Sequence, residues 1–247
     1  MTASPSPPSI PDFEACLQRL YERLLAPGDI AIDAGAHTGR HALPMARRVH
    51  PGGRVHAFEP LPFCRAELLR AIGTETPGLR STLVVHPEAL GERDDEADFV
   101  VAVDLPGYSG LRPRTYDAPT RIERLPVPVR RLDGLLADLT ALTYIKIDVE
   151  GGELGVLRGA TELIGRFRPV VSFEFGLAAI GHYSITPADM ARFWAERDYR
   201  LFDVLGRELP TEEGFIESAT RQEVWDYVAL PRRRPELVPR LLPPSQK

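Results

Sequence analysis

The stretch DIAIDAGAHTGRHA, residues 29–42, begins as a short β-prone run and ends in a turn that opens toward a helix. The strand ends at Asp33. Gly35 and Gly39 then let the backbone bend tightly. A ligand can approach backbone that carries no Cβ, and helix N–H groups point at it. This is not the dinucleotide fingerprint G-x-G-x-x-G. His37 stands in the place of the second glycine, and Arg40 and His41 follow Gly39. A nicotinamide dinucleotide brings a pyrophosphate that wants that glycine; a ligand without pyrophosphate does not.

Outward from this turn, strand-like and helix-like runs alternate. Upstream, Phe13 to Leu25 has helical apolar spacing and stops at Pro27–Gly28. Downstream, Thr38 to Val49 reads as a helix with Pro44 near its first turn. RVHAFEP (54–60) is a second strand, Pro62 to Ile72 a helix, and STLVVHPEAL (81–90) a third strand. This β-α-β-α-β layout favours parallel strands with helical crossovers. Residues 91–130 break the rhythm: ADFVVAVD (97–104) and LPVPVRRL (125–132) are strand-like around a loop, the second with edge-strand prolines. They read as an inserted antiparallel excursion. YIKIDVEGG (144–152) is a strand running into a turn, 152–167 a helix, and PVVSFEFG (169–176) a buried strand. Thr186–Pro187 opens a helix to about Asp198. YRLFDV (199–204) and VWDYVAL (224–230) are joined by a polar segment without a helical crossover, so one of the pair is expected to be antiparallel. The expected fold is α/β: seven main strands, mostly parallel, with helices on both faces.

The chain has 247 residues, of which 43% are hydrophobic and 26% charged, enough for a full core without staples. Its formal charge of -5 argues against bulk nucleic-acid binding. Cys16 and Cys64 lack metal-ligand spacing. No apolar run approaches the roughly 18 residues of a membrane span, and the first residues do not read as a secretory signal; the expected location is the cytoplasm. One domain is expected over 13–230. Residues 1–12 and 231–247, rich in proline and in the second case arginine, read as tails. Arginine supplies 28 of the 30 basic residues, and the only lysines are Lys146 and Lys247. Lys146 therefore marks a place where a compact ammonium suits better than a guanidinium fork.

Acidic residues gather where strands end. Glu59 closes the second strand, where open parallel sheets use a carboxylate for ribose hydroxyls. Glu88 ends the third, beside the place of an adenine. Lys146, Asp148 and Glu150 alternate, which on a strand puts them on one face, and three charges there are costly unless satisfied. Glu174 ends the neighbouring strand and His182 follows in the loop. His37 and His41 have a zinc-compatible spacing but suggest no third ligand; a pocket wall and a solvated helix face are the simpler readings.

The ordered set IDAGAHTG, VHAFEP, PEALG, YSGL, VPVRRLD, IKIDVEGGELGVLRGA and RPVVSFEFG resembles the FkbM-type family of S-adenosylmethionine-dependent methyltransferases, over roughly residues 28 to 230. The resemblance implies the seven-stranded, Rossmann-like class I methyltransferase sheet. It also implies methyl transfer from a sulfonium to oxygen, commonly a hydroxyl of a sugar or secondary metabolite. Carried over, Asp33, Gly35 and Gly39 shape the methionine side of the pocket, with His37 and Thr38 in the same turn. Glu59 and Pro60 hold the ribose side, and Glu88 and Ala89 flank the adenine. Asp148 lies near the sulfonium. His37 is a departure, since such proteins often carry a small amide or glycine there.

A sulfonium methyl is already activated, so in-line transfer needs mainly positioning, with a base for the neutral hydroxyl. Asp148, Glu150, Glu174 and His182 are the candidates, the three carboxylates foremost. Carboxylates also suit a divalent cation, and no metal ligand set is assigned. Two other classes fit less of the sequence. A cofactor-binding interaction module without catalysis would not need the acidic tips at Asp148, Glu150 and Glu174. A nicotinamide-dependent oxidoreductase lacks its second glycine. The expected partner is a small-molecule acceptor, without nucleic acid.

Overall fold

A computed structural model describes residues 11–242. Eleven strands occur among them. The first three are β1 (Ile30–Ala34), β2 (Arg54–Phe58) and β3 (Leu83–His86). The next three are β4 (Ala89–Leu90), β5 (Asp95–Ala102) and β6 (Ile122–Arg130). The rest are β7 (Tyr144–Ile147), β8 (Val170–Glu174), β9 (Tyr199–Asp203), β10 (Glu208–Leu209) and β11 (Asp226–Pro231). The main sheet has the order β10-β9-β11-β8-β7-β1-β2-β3. β1 runs parallel to β2 and β7, β2 to β3, and β7 to β8. β11 is antiparallel to both β8 and β9.

The central strands are near-continuous apolar runs because helices cover both faces. Successive residues point to opposite sides. Ile32, Ile145, Ile147 and Phe173 enter one core with the helices of residues 153–167 and 187–195. Ala31, Val55, Ala57 and Tyr144 enter the other with helices Phe13–Leu24 and Ala42–Val49. Among the described residues no helix is long and apolar enough to cross a membrane. Parallel strands put their carboxyl ends along one edge of the sheet. The reversed strand β11 brings its first residue, Asp226, to that same edge, in register with Glu174.

The structure corrects five local expectations. The third strand does not run through residue 90. It stops at His86, and β4 leaves to pair with β6 in a separate three-stranded sheet, β4-β6-β5. Pro87, at the break, has no N–H to continue the ladder. The helix expected over 152–167 is two, Glu153–Arg158 and Thr161–Phe167. At the break a Cβ on Gly159 would lie 2.1 Å from the Gly91 carbonyl oxygen. The Asp133 carboxylate caps the second helix, accepting from Glu162 N at 3.1 Å and Leu163 N at 3.0 Å. The polar segment before β11 contains β10 and helix Glu212–Arg221, so the sheet has eight strands rather than seven. β7 ends at Ile147, so Asp148 and Glu150 belong to the turn beyond it.

The fifth correction concerns the C-terminal segment. It is not a tail as far as Leu242. Helix Leu237–Leu241 packs Leu237, Leu241 and Leu242 into the core beside the first helix, and Arg240 Nη2 donates to the Arg23 carbonyl at 2.6 Å. The proline content hid three buried leucines. The N-terminal tail expected over 1–12 lies outside the described residues except Pro11 and Asp12. Asp12 caps the first helix, accepting from Ala15 N at 2.9 Å.

Candidate active site

A cavity of about 610 Å³ opens along the edge where β1, β2, β7 and β8 end and β11 begins. Its wall takes residues from the β1 turn, the β2 tip and the stretch after β3 at one end. At the other it takes Lys146, Asp148, Glu150, Glu174 and Asp226.

Glu59, at the β2 tip, is buried and tethered by backbone. Its Oε2 accepts from His37 N at 2.8 Å and its Oε1 from Leu61 N at 2.8 Å. Burial pushes its carboxyl up to about 7 despite those two bonds. Arg65 Nη1 donates to the carbonyls of Glu59 at 2.8 Å and Pro60 at 2.6 Å, which fixes the chain around it. His37 holds a left-handed conformation, with φ of 48°. His37 Nε2 and Glu88 Oε2 are buried polar atoms without a protein partner, and both residues line the cavity, as do Gly35, Pro60 and Ala89.

Asp33, Thr38 and Gly39, from the cofactor-lining set expected on sequence, do not line the cavity. Gly39 holds a φ of 96°, which favours glycine, and a Cβ there would also meet Leu68 Cδ1 at 2.4 Å. Gly35 lines the cavity, but its need for glycine comes from the turn after β7: a Cβ would lie 1.7 Å from the Asp148 carbonyl oxygen. Asp33 is fully buried and pairs in register with Lys146 across β1 and β7. Neither of its oxygens has a hydrogen bond, and Lys146 Nζ lies 3.8 Å away. Burial raises its carboxyl and Lys146 opposes that rise.

Lys146 Nζ donates to Asp148 Oδ2 at 3.1 Å. Asp148, Glu150 and Glu174 each present a carboxylate oxygen within 4.8 Å of the others. Glu150 reaches this cluster through a left-handed turn, with φ of 58° followed by 100° at Gly151, rather than through strand alternation. Glu153 Oε1 clamps that turn, accepting from Val149 N and Gly151 N at 3.0 Å each. Burial works against ionisation of Asp148, but the Lys146 charge and hydrogen bonds from Glu174 and Lys146 hold its carboxyl below the usual range. Burial, and then Asp148 and Glu150, push Glu174 well above it. Burial and Asp148 raise Glu150 to about 8, against the attraction of Arg114.

Several wall residues escaped sequence reasoning. Arg114 is ion-paired with Glu150 and stacks over the Tyr108 ring at 4.2 Å. Both come from the excursion, where no periodicity points to them. Asp226 follows from strand pairing alone. His41, expected on a solvated face, is buried: its Nδ1 meets Tyr21 Oη at 3.1 Å and its Nε2 bonds Glu14. His182 is exposed and does not line the cavity.

Comparison with known proteins now bears on this geometry. The model of the methyltransferase FkbM domain matches residues 33–201. The 31-O-demethyl-FK506 methyltransferase FkbM of Streptomyces tacrolimicus is 31% identical over 164 residues, 56% of this chain and 62% of that protein. Methyltransferase 1 of Beauveria bassiana is 28% identical over 164 residues, 59% of this chain and 64% of that protein. The matches thus span less than two thirds of the length of these curated relatives. The crystal structure of methyltransferase FkbM from Methylobacillus flagellatus KT superposes with a TM-score of 0.52 at 18% identity, over 89% of this chain and 55% of that one. The shared fold is the Rossmann-like sheet of class I methyltransferases. The matched span runs from Asp33 into β9 and takes in the tips of β1, β2, β7 and β8, so the chain belongs to the methyltransferase FkbM domain family.

Proposed function

We propose that this chain transfers a methyl group from S-adenosylmethionine to a hydroxyl oxygen of a small-molecule acceptor, a sugar or secondary metabolite. The observation that carries the reading is one continuous cavity joining the tethered Glu59 to the Asp148–Glu174 pair. The cofactor fits the residues present. Glu59 keeps lone pairs for a ribose diol, Glu88 Oε2 is an unpartnered acceptor for an exocyclic amine, and His37 Nε2 is a further unpartnered polar atom in the wall. The name of the Streptomyces tacrolimicus relative points to oxygen and to a secondary metabolite.

When bound, S-adenosylmethionine supplies an activated sulfonium methyl. The protein supplies position and a place for one proton. The Lys146 charge holds the Asp148 carboxyl below the usual range, while burial and the Asp148 charge hold that of Glu174 well above it. A hydroxyl set against Asp148 becomes strongly acidic as its oxygen takes the methyl group. A carboxylate of low pKa is then base enough to accept the proton. The acidic cluster already faces two cations, Lys146 and Arg114, and no step here runs through a metal.

Calorimetry with S-adenosylhomocysteine and turnover on a panel of hydroxyl acceptors test the reading. Asp148→Asn should lower kcat by on the order of 100-fold, as for loss of an acid–base group, with a smaller effect on cofactor affinity. Wild-type protein that binds no S-adenosylhomocysteine would remove the cofactor reading. Normal turnover by both Asp148→Asn and Glu174→Gln would place the base elsewhere. Activity lost to a chelator and restored by magnesium would add a metal to the site.

A further inference from the structure

The helix Phe13–Leu24 lies outside the span matched by the family model, yet its first turn reaches the cavity. Glu14 lines the cavity wall together with Arg40, His41, Lys146 and Asp148. It is held firmly. Arg40 Nε donates to Glu14 Oε2 at 3.1 Å, His41 Nε2 bonds the same oxygen, and Tyr21 fixes the other nitrogen of His41. The base of the helix is anchored as well: Phe13 packs edge-on against Trp225, with ring centroids 4.8 Å apart. Both contacts to Glu14 fall on Oε2, so Oε1 keeps its lone pairs for a ligand.

Charge completes the argument, which rests on the cofactor reading above. A molecule running from Glu88 past Glu59 to the β1 turn places its amino-acid end beside Gly35, His37 and Arg40. That end carries an ammonium, which needs an anionic acceptor. Asp33 does not line the cavity and faces Lys146. Asp148 is taken by the same lysine, and Glu150 by Arg114. Burial pushes up the carboxyls of Glu174 and Asp226, which also line the wall, so Glu14, whose bond to His41 pulls its carboxyl down to about 2, is the charged carboxylate left with a free oxygen at this end. We infer that Glu14 binds the α-ammonium of the cofactor's methionyl group, so that the N-terminal helix completes the cofactor site. Arg40, fixed by the same carboxylate, stands ready for the α-carboxylate beside it.

Two ligands separate this role from a structural one. S-adenosylhomocysteine carries the amino-acid end, and 5′-methylthioadenosine carries the nucleoside and thioether without it. Calorimetry on the full chain should show Glu14→Gln weakening S-adenosylhomocysteine binding about 10-fold or more, the loss of a charged hydrogen-bond partner. Binding of 5′-methylthioadenosine should stay within twofold of wild type, which also reports an intact fold. Equal loss of both ligands, or unchanged binding of S-adenosylhomocysteine, overturns the inference. Wild-type protein that binds neither ligand overturns the cofactor reading itself, and this inference with it. Wild-type binding of both, with no preference for the one carrying the amino acid, overturns the inference alone.

Discussion

At the scale of single residues, the site is organised by carboxylates whose partners are backbone N–H groups and two buried or half-buried cations. Glu59 shows how much one side chain does. It ends β2, joins the β1 turn through His37 N and fixes the chain after it through Leu61 N. Glu59→Ala leaves both donors unpaired and removes the acceptor for the ribose diol. We expect S-adenosylhomocysteine affinity to fall by about 1–3 kcal/mol, the range for hydrogen bonds to a charged group. Titration calorimetry with circular dichroism to check the fold measures this, and affinity within twofold of wild type would take Glu59 out of the site. Glu59, Glu88 and Asp148 were legible in the sequence because each follows a recognisable strand, and topology alone carries strand ends to one edge. Arg114 and Glu14 were not. Their partners lie 36 and 27 positions away, in elements whose contact depends on the folded path of the excursion and the first helix.

At the scale of elements, every strand of the main sheet except two-residue β10 follows from apolar runs bounded by turn residues. Two of the failures share a cause, in that a tertiary contact overrides a local signal. Gly159 lies against the Gly91 carbonyl and splits a helix that the apolar spacing makes continuous. Pro235, Pro239 and Pro243 made the end of the chain read as a tail, although Pro239 sits inside a helix that buries Leu237 and Leu241. That helix closes one face of the sheet beside helix Phe13–Leu24, so it also supports the element that carries Glu14. Leu241→Ala removes a side chain that is 2% exposed. The expected loss is about 2–5 kcal/mol, as for other buried leucines. A solvated tail would show almost none, so urea denaturation decides between the two.

At the scale of the whole molecule, the buried acids set how stability depends on pH. Burial raises Glu59, Glu153 and Asp226 to about 7, and burial with Asp148 raises Glu150 to about 8. In an unfolded chain these carboxyls release their protons near their ordinary values of about 4. Between those limits the folded state binds more protons than the unfolded one, so stability falls as pH rises. The protonated carboxyls contribute fully below the unfolded values, and that contribution is lost as pH passes through 7 to 8. Glu14 acts in the opposite sense, but only in acid, since its carboxyl lies at about 2 and its contribution disappears as pH falls toward that value. These carboxyls should therefore make the ligand-free protein more stable at pH 5 to 6 than at pH 8 to 9. Its Tm should drop by roughly 5 °C or more between pH 6 and pH 9, given about 2–4 °C per kcal/mol in a chain of this size. Glu150→Gln, which has no proton to lose, should flatten part of that decline. Thermal unfolding across the range measures both, and a Tm that is level or rises toward pH 9 would mean that these carboxyls are not held protonated in the fold. Such a result would also free Glu150 and Glu174 to ionise beside Asp148, leaving three negative charges against Lys146 and Arg114 and making the tip cluster a better host for a cation than for a shared proton.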